Sequence, residues 1–151
     1  MAQDSEIAEI KRRAAERAQQ LKLPYAGALT PVEAFALMQA GAKLVDVRTV
    51  PELLYVGRVP GSVLVEWQTY PGNTRNPDFL DQLAEAVEPA DTLMFLCRSG
   101  VRSHAAAATA AQAGFPDSYN VLEGFEGDKD AAQHRNTVGG WRKAGLPWVQ
   151  G

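Results

Sequence analysis

One thiol, Cys97, occurs among 151 residues, and it opens a segment suited to sulfur chemistry: Cys97-Arg98-Ser99-Gly100-Val101-Arg102-Ser103. An apolar run, 92–96, precedes it, and an alanine-rich helical stretch, 102–113, follows. A strand–turn–helix of this kind delivers the cysteine to the carboxyl end of a strand, where ligands bind in open α/β sheets. The turn aims backbone N–H groups, and the positive end of a helix dipole, at the sulfur. Arg98 and Arg102 add two positive charges, and no Asp or Glu occurs from Thr92 to Pro116. The local field is therefore expected to be positive although the whole chain carries −3. Those conditions favour the thiolate, the nucleophilic form of cysteine. A cysteine that closes an apolar strand is more often packing than chemistry. The glycine inside a two-arginine turn reverses that balance, because a core cysteine needs no anion cradle.

The elements that must position this loop alternate along the chain. Residues 4–21 read as an amphipathic helix, with Ile7, Ile10, Ala14, Ala18 and Leu21 at helical spacing among charges. Its thin, alanine-rich stripe suits a helix laid on the domain surface or one that docks a partner. Pro24 and Gly27 break the chain there, so 1–24 is taken as an N-terminal helical extension and 25–151 as the main domain. Thr30-Pro31-Val32-Glu33 combines an N-cap, a proline at the first helical position and a capping-box glutamate, and Gly41 stops the helix. Strands are predicted at 43–47, 62–67, 92–96 and 118–122, and helices at 77–87 and 102–113. Strand alternating with helix indicates an α/β domain with a largely parallel sheet.

Composition narrows the function classes. At 46% hydrophobic and 22% charged residues, the chain can bury a core without staples. Apolar runs never exceed five residues, so no membrane-spanning helix is expected. Residues 1–13 lack the apolar stretch of a secretory signal, which makes a cytoplasmic location the expectation. One cysteine and two histidines exclude a disulfide framework and a cysteine-rich zinc site. The negative net charge argues against a general nucleic-acid partner.

Several motifs occur in order: Asp46-Val47-Arg48, Glu52, Gly57-Arg58-Val59-Pro60-Gly61-Ser62, Cys97-Arg98-Ser99-Gly100-Val101-Arg102, Leu122-Glu123-Gly124 and Gly139-Gly140-Trp141. Together, over residues 30–148, they resemble the rhodanese-like sulfurtransferases. The resemblance implies a rhodanese-like α/β fold, a mainly parallel five-stranded sheet flanked by helices, over 25–151. It implies that Cys97 takes a sulfane sulfur from a small anionic donor such as thiosulfate and becomes a persulfide. Cyanide or a thiol then attacks the outer sulfur, with no cofactor and no metal.

In that reading the N–H groups of Arg98, Ser99, Gly100, Val101, Arg102 and Ser103 cradle the persulfide. Arg98 and Arg102 attract the anion and stabilise departing sulfite. Ser99 and Ser103 could donate hydroxyl hydrogen bonds, although a helix N-cap suits Ser103 equally. Gly100 supplies a backbone angle that side chains resist. Asp46, Arg48 and Glu52 are structural, with an Arg48–Glu52 ion pair implied by the family. Two departures stand out. Arg58 replaces the family's common histidine and is either an additional anion contact or a surface charge. Residues 125–138 form a longer, more polar connection than usual, either a cover for the site or a surface insertion.

Phosphatases and arsenate reductases of related fold compete with this reading. Phosphatase loops carry the essential arginine six positions after the cysteine, whereas here Ser103 holds that position and Arg102 the fifth. The shorter cradle suits one sulfur atom. The other alternative is a carrier module that passes persulfide sulfur to a sulfur-accepting protein, with 1–24 as its docking element.

Overall fold

Strands buried on both faces read as continuous apolar runs rather than alternating ones, and Leu93–Leu96 at the centre of the sheet is such a run. The computed structural model describes residues 2–150. In chain order these form helix α1 (Ala2–Leu21), strand β1 (Gly27–Leu29), α2 (Pro31–Gln39), β2 (Lys43–Asp46), α3 (Val50–Tyr55) and β3 (Val63–Leu64). An antiparallel hairpin follows, β4 (Gln68–Thr69) and β5 (Thr74–Arg75), and then α4 (Phe79–Ala86), β6 (Leu93–Leu96), α5 (Val101–Gln112) and β7 (Ser118–Val121). Five strands make one sheet in the order β1-β7-β6-β2-β3, and every pairing in it is parallel. The expected α/β architecture is therefore present.

Because side chains alternate across a strand, β6 feeds two cores. Leu93 and Phe95 pack with Phe79 and Leu83 of α4 and with Ala106, Ala107 and Ala110 of α5. Met94 and Leu96 pack on the opposite face with Ile10 and Ala14 of α1 and Ala34 and Leu37 of α2. Cys97 continues the Leu93–Phe95 face and is 1% exposed. The alanines of α5 keep the helix close against β6 and β7, and so set the height of the loop that joins β6 to α5.

The Thr30 capping box forms as expected, with Glu33 Nα donating to Thr30 Oγ1 and Thr30 Nα donating to Glu33. Strand β1, helix α3 and the β4–β5 hairpin had not been anticipated. Three-residue and two-residue strands carry too few positions to show a period, and α3 is only six residues long. The stripe of α1 is spent inside its own chain: Ile10, Ala14 and Ala18 are buried, and Arg17 pairs with Glu33 of α2 at 2.6 Å. No helix among the described residues is long and apolar enough to cross a membrane.

The α1–β1 contact is close enough to be a mutational test. A Cβ on Gly27 would stand 2.7 Å from the backbone carbonyl of Ala14. Gly27→Ala is expected to destabilise the fold by about 1–3 kcal/mol through overpacking, read as a lowered urea midpoint at unchanged slope. An unchanged midpoint would show that α1 does not hold this position in solution.

Candidate active site

Strand β2 leads by α3 to β3 on one side of the sheet, whereas its neighbour β6 leads by α5 to β7 on the other. Two adjacent strands whose connections diverge leave a crevice at their carboxyl ends, the usual binding place in α/β sheets. The segment after β2 supplies Glu52, and the segment after β6 supplies residues 97–103.

The cysteine loop turns sharply because Gly100 adopts φ +106°, in the left-handed region, and N-caps α5. Its N–H points back at the sulfur, with Nα 3.1 Å from Cys97 Sγ. The Ser103 N–H is a second donor at 3.4 Å, and Ser103 Oγ lies 3.3 Å from Sγ. Ser103 is therefore no N-cap: it is the third residue of α5, fully buried, with its Oγ between Cys97 Sγ and the side chain of Asn120. From behind, Phe125 and Glu126 donate backbone hydrogen bonds to the carbonyls of Cys97 and Arg98 at 2.8 and 2.9 Å. These bonds hold the loop against the chain that follows β7.

A hollow of about 380 Å³ opens above the loop. Its floor is Cys97, Arg98, Ser99, Val101 and Arg102, and its walls are Glu52 together with Gln68 and Asn73 of the hairpin. Arg98 is exposed at the rim. Residues 125–138, read as either a cover or a surface insertion, contribute no lining residue among those described; the hairpin supplies that wall instead. Arg58 does not line the hollow either. Its backbone pairs with Val149 in an antiparallel bridge, in both directions at 2.8 Å.

The ion pairs differ from the expected set. Arg48 does not pair with Glu52. It is fully buried against Asp46, Nη2 to Oδ2 at 2.8 Å, with Gly57 O as a further acceptor and the Phe125 ring 4.3 Å from its guanidinium carbon. Glu52 instead receives Arg102 in a two-pronged pair, Nη1 to Oε1 at 2.7 Å and Nη2 to Oε2 at 2.9 Å. Glu52 Oε1 also accepts from the Thr49 N–H and hydroxyl. The positive field inferred from residues 92–116 is thus offset by a carboxylate from fifty positions upstream. Thr49-Val50-Pro51-Glu52 repeats the capping pattern of Thr30–Glu33, which is the sequence signal that would have found α3.

Three further residues were missed. Asn120, in the middle of β7, accepts from Ser103 Oγ at 2.6 Å and donates to the Gly100 carbonyl at 3.2 Å. An amide inside a buried strand is the signal for it. Gln68 and Asn73 carried no such sign. His104 Nδ1 meets Tyr25 Oη at 2.7 Å, away from the sulfur.

Comparison with known proteins agrees with this geometry. Residues 30–131 match the rhodanese-like domain family. The chain belongs to that family. It is 36% identical over 114 residues to the uncharacterized protein RP600 of Rickettsia prowazekii, covering 74% of this chain and 86% of that one. It is 31% identical to the chloroplastic thiosulfate sulfurtransferase 16 of Arabidopsis thaliana, covering 74% and 82%. Among solved structures, this rhodanese-like chain resembles Rv0390 from M. tuberculosis, at 44% identity and a TM-score of 0.77, covering 84% and 99%. The polysulfide-sulfur transferase homodimer of Wolinella succinogenes shares the fold at 22% identity, with a TM-score of 0.57 and coverage of 89% and 87%.

The Glu52–Arg102 pair makes a pH-dependent contribution to stability. Burial pushes the Glu52 carboxyl up, but the Arg102 hydrogen bonds and charge and the Thr49 donors outweigh it and bring it from 4.5 down to about 2. A lowered carboxyl value adds stability above the unfolded value, and the gain is lost as pH falls through the folded one. Wild type is expected to lose on the order of 2–3 kcal/mol from this group between about pH 5 and pH 2. Chemical denaturation of Glu52→Gln across that window should show a correspondingly shallower slope; parallel curves would exclude the pair as the source.

Proposed function

We propose that this rhodanese-like chain is a thiosulfate sulfurtransferase in which Cys97 carries the transferred sulfur as a persulfide. The observation that carries the reading is the sulfur's position. Sγ lies at the floor of an open polar hollow with two backbone N–H donors on it, at 3.1 and 3.4 Å. Donors fixed by a glycine turn and a helix start need no reorganisation when charge develops, which is how such groups lower barriers.

The reaction divides into two displacements. The Cys97 thiolate attacks the sulfane sulfur of thiosulfate; an S–S bond forms, the thiosulfate S–S bond breaks, and sulfite leaves with the electron pair. The outer sulfur of the resulting Cys97–S–S⁻ carries the charge into the hollow, beside the exposed N–H groups of the loop. Cyanide or a thiolate then attacks that outer sulfur, and the electron pair of the broken S–S bond returns to Sγ. No second cysteine exists to intercept the persulfide as an internal disulfide.

The arginines divide the work. Arg98 is exposed and suited to recruiting the anion. Arg102 feels the charge of Cys97, yet both of its Nη groups are committed to Glu52, so it shapes the wall as much as it attracts.

Wild type incubated with thiosulfate should gain about 32 Da, one persulfide sulfur, and lose it on adding cyanide. Folded Cys97→Ser should show neither adduct nor turnover; substantial activity in that variant would overturn the assignment.

Steady-state kinetics should separate the two arginines. Arg98→Ala is expected to raise KM for thiosulfate by roughly 3- to 10-fold with kcat nearly unchanged, the mark of lost anion binding. Arg102→Ala strands the Glu52 carboxylate in the hollow and should raise KM by about 10-fold or more and lower kcat as well. Arg102→Lys keeps the charge without the planar fork and should recover only part. Wild-type kinetics in Arg102→Ala would remove Arg102 from the anion site, and wild-type kinetics in Arg98→Ala would remove Arg98.

A further inference from the structure

The Ser103 hydroxyl has one proton and two neighbours that want it. Asn120 Oδ1 lies 2.6 Å from Ser103 Oγ and Cys97 Sγ lies 3.3 Å away. The amide of Asn120 cannot be turned round, because its other end faces the Gly100 carbonyl at 3.2 Å, and a carbonyl only accepts. Oδ1 therefore faces Ser103, and it too only accepts. In the resting arrangement the Ser103 O–H points at Asn120 Oδ1, and a lone pair of Oγ faces the sulfur. Ser103 is 0% and Asn120 3% exposed, so water does not compete for either.

We propose that Ser103 is a two-position hydrogen-bond rotor governed by Asn120, donating to Asn120 while Sγ is uncharged, as thiol or persulfide, and to Sγ while it is a thiolate. The inference rests on the sulfur-transfer reading above and assigns Asn120 as a positioning residue for that reaction.

The hydroxyl turns once in each half of the cycle. In the first displacement the Sγ lone pair forms the new S–S bond, so a donor on Sγ holds back that charge, and the hydroxyl returns to Asn120 as the charge leaves. In the second, the electron pair of the broken S–S bond arrives on Sγ, and a donor there stabilises the leaving thiolate. Turning the hydroxyl to Sγ gives up a bond to a neutral acceptor, the Asn120 oxygen, for one to charged sulfur, which is roughly twice as strong. Both positions are thus within reach, and the charge on Sγ selects between them. The proton stays on Ser103 throughout; only its direction changes.

The test uses the full chain and follows both half-reactions separately by mass. Loading is timed with thiosulfate under single-turnover conditions, and unloading with cyanide. Ser103→Ala removes the donor. Asn120→Asp keeps the hydroxyl and grips its proton with a charged acceptor, but loses the donor to the Gly100 carbonyl. Ser103→Ala should load at least as fast as wild type, and both variants should unload about 5-fold more slowly, the margin of a hydrogen bond to a charged group over one to a neutral acceptor. A merely structural defect moves both half-reactions of Ser103→Ala the same way, and that outcome in a folded protein overturns the rotor. So does an Asn120→Asp protein that matches wild type. Should Asn120→Asp fail to fold, Ser103→Ala decides alone, since opposite effects on the two halves are still required.

A second readout is independent of sulfur transfer. At about pH 10, where an ordinary thiol is ionised, iodoacetamide should alkylate Cys97 roughly 3-fold faster in Ser103→Ala than in wild type, a donor having been removed from the attacking sulfur. Slower alkylation overturns the rotor. A wild-type protein that takes up no sulfur from thiosulfate overturns the sulfur-transfer reading instead, and the alkylation comparison still judges the rotor.

Discussion

Arg102 and Glu52 close the crevice between the carboxyl ends of β6 and β2 with two hydrogen bonds and opposite charges. Parallel strands end with their loops free to diverge, and here the connections leave in opposite directions, so the site exists only if something ties the loops across the gap. A planar guanidinium facing a carboxylate in two-pronged geometry fixes both distance and orientation, which a lysine point charge would not. The side chains are only 20% and 22% exposed, so the pair is shielded from solvent far better than a surface bridge. The same shielding makes either partner costly to strand. The pair thus sets the shape of the hollow and, at the same time, reduces its positive charge.

Beneath that pair lies a second ionic contact of a different kind. Asp46 and Arg48 are fully buried, and one guanidinium nitrogen, Nη1, has no hydrogen-bond partner among the described residues. Burying such a charge requires compensation from its whole surroundings: the Asp46 carboxylate, the Gly57 carbonyl and the face of Phe125. Phe125 is also the residue whose N–H holds the Cys97 carbonyl. The buried pair therefore props the segment that supports the cysteine loop from behind. Charge satisfaction in the core and alignment of the sulfur are parts of one packing problem.

The buried amide and hydroxyl of Asn120 and Ser103 add a polar thread through an otherwise apolar contact between α5 and β7. An apolar pair of similar volume would spare the desolvation of both groups. Retaining them makes sense where the neighbour changes charge, because a hydroxyl can answer a sulfur in more than one state while a methyl cannot.

Local patterns account for what was legible in the residues alone. The unbroken apolar run of β6, the alanine spacing of α5, the Thr30 capping box and the glycine at position 100 each act within a few neighbours, so their consequences follow from spacing. The strand–turn–helix around Cys97 and the parallel α/β sheet followed from them, while the family came from the resemblance of the ordered motifs at 46–48, 57–62, 97–102, 122–124 and 139–141. The pairing of charges did not. Arg48 had two carboxylates within four positions, and the choice of Asp46 depends on the Gly57 carbonyl and the Phe125 ring, which meet it only after folding. Arg102 found its partner fifty residues away, Ser103 found Asn120 seventeen away, and the hairpin brought Gln68 and Asn73 to the rim from a stretch with no distinguishing chemistry. Hydrophobic period and backbone propensity are properties of neighbouring residues, whereas an electrostatic contact is a property of distance in space. That distance is set where separate loops converge at the carboxyl edge of the sheet, and only the tertiary structure decides it.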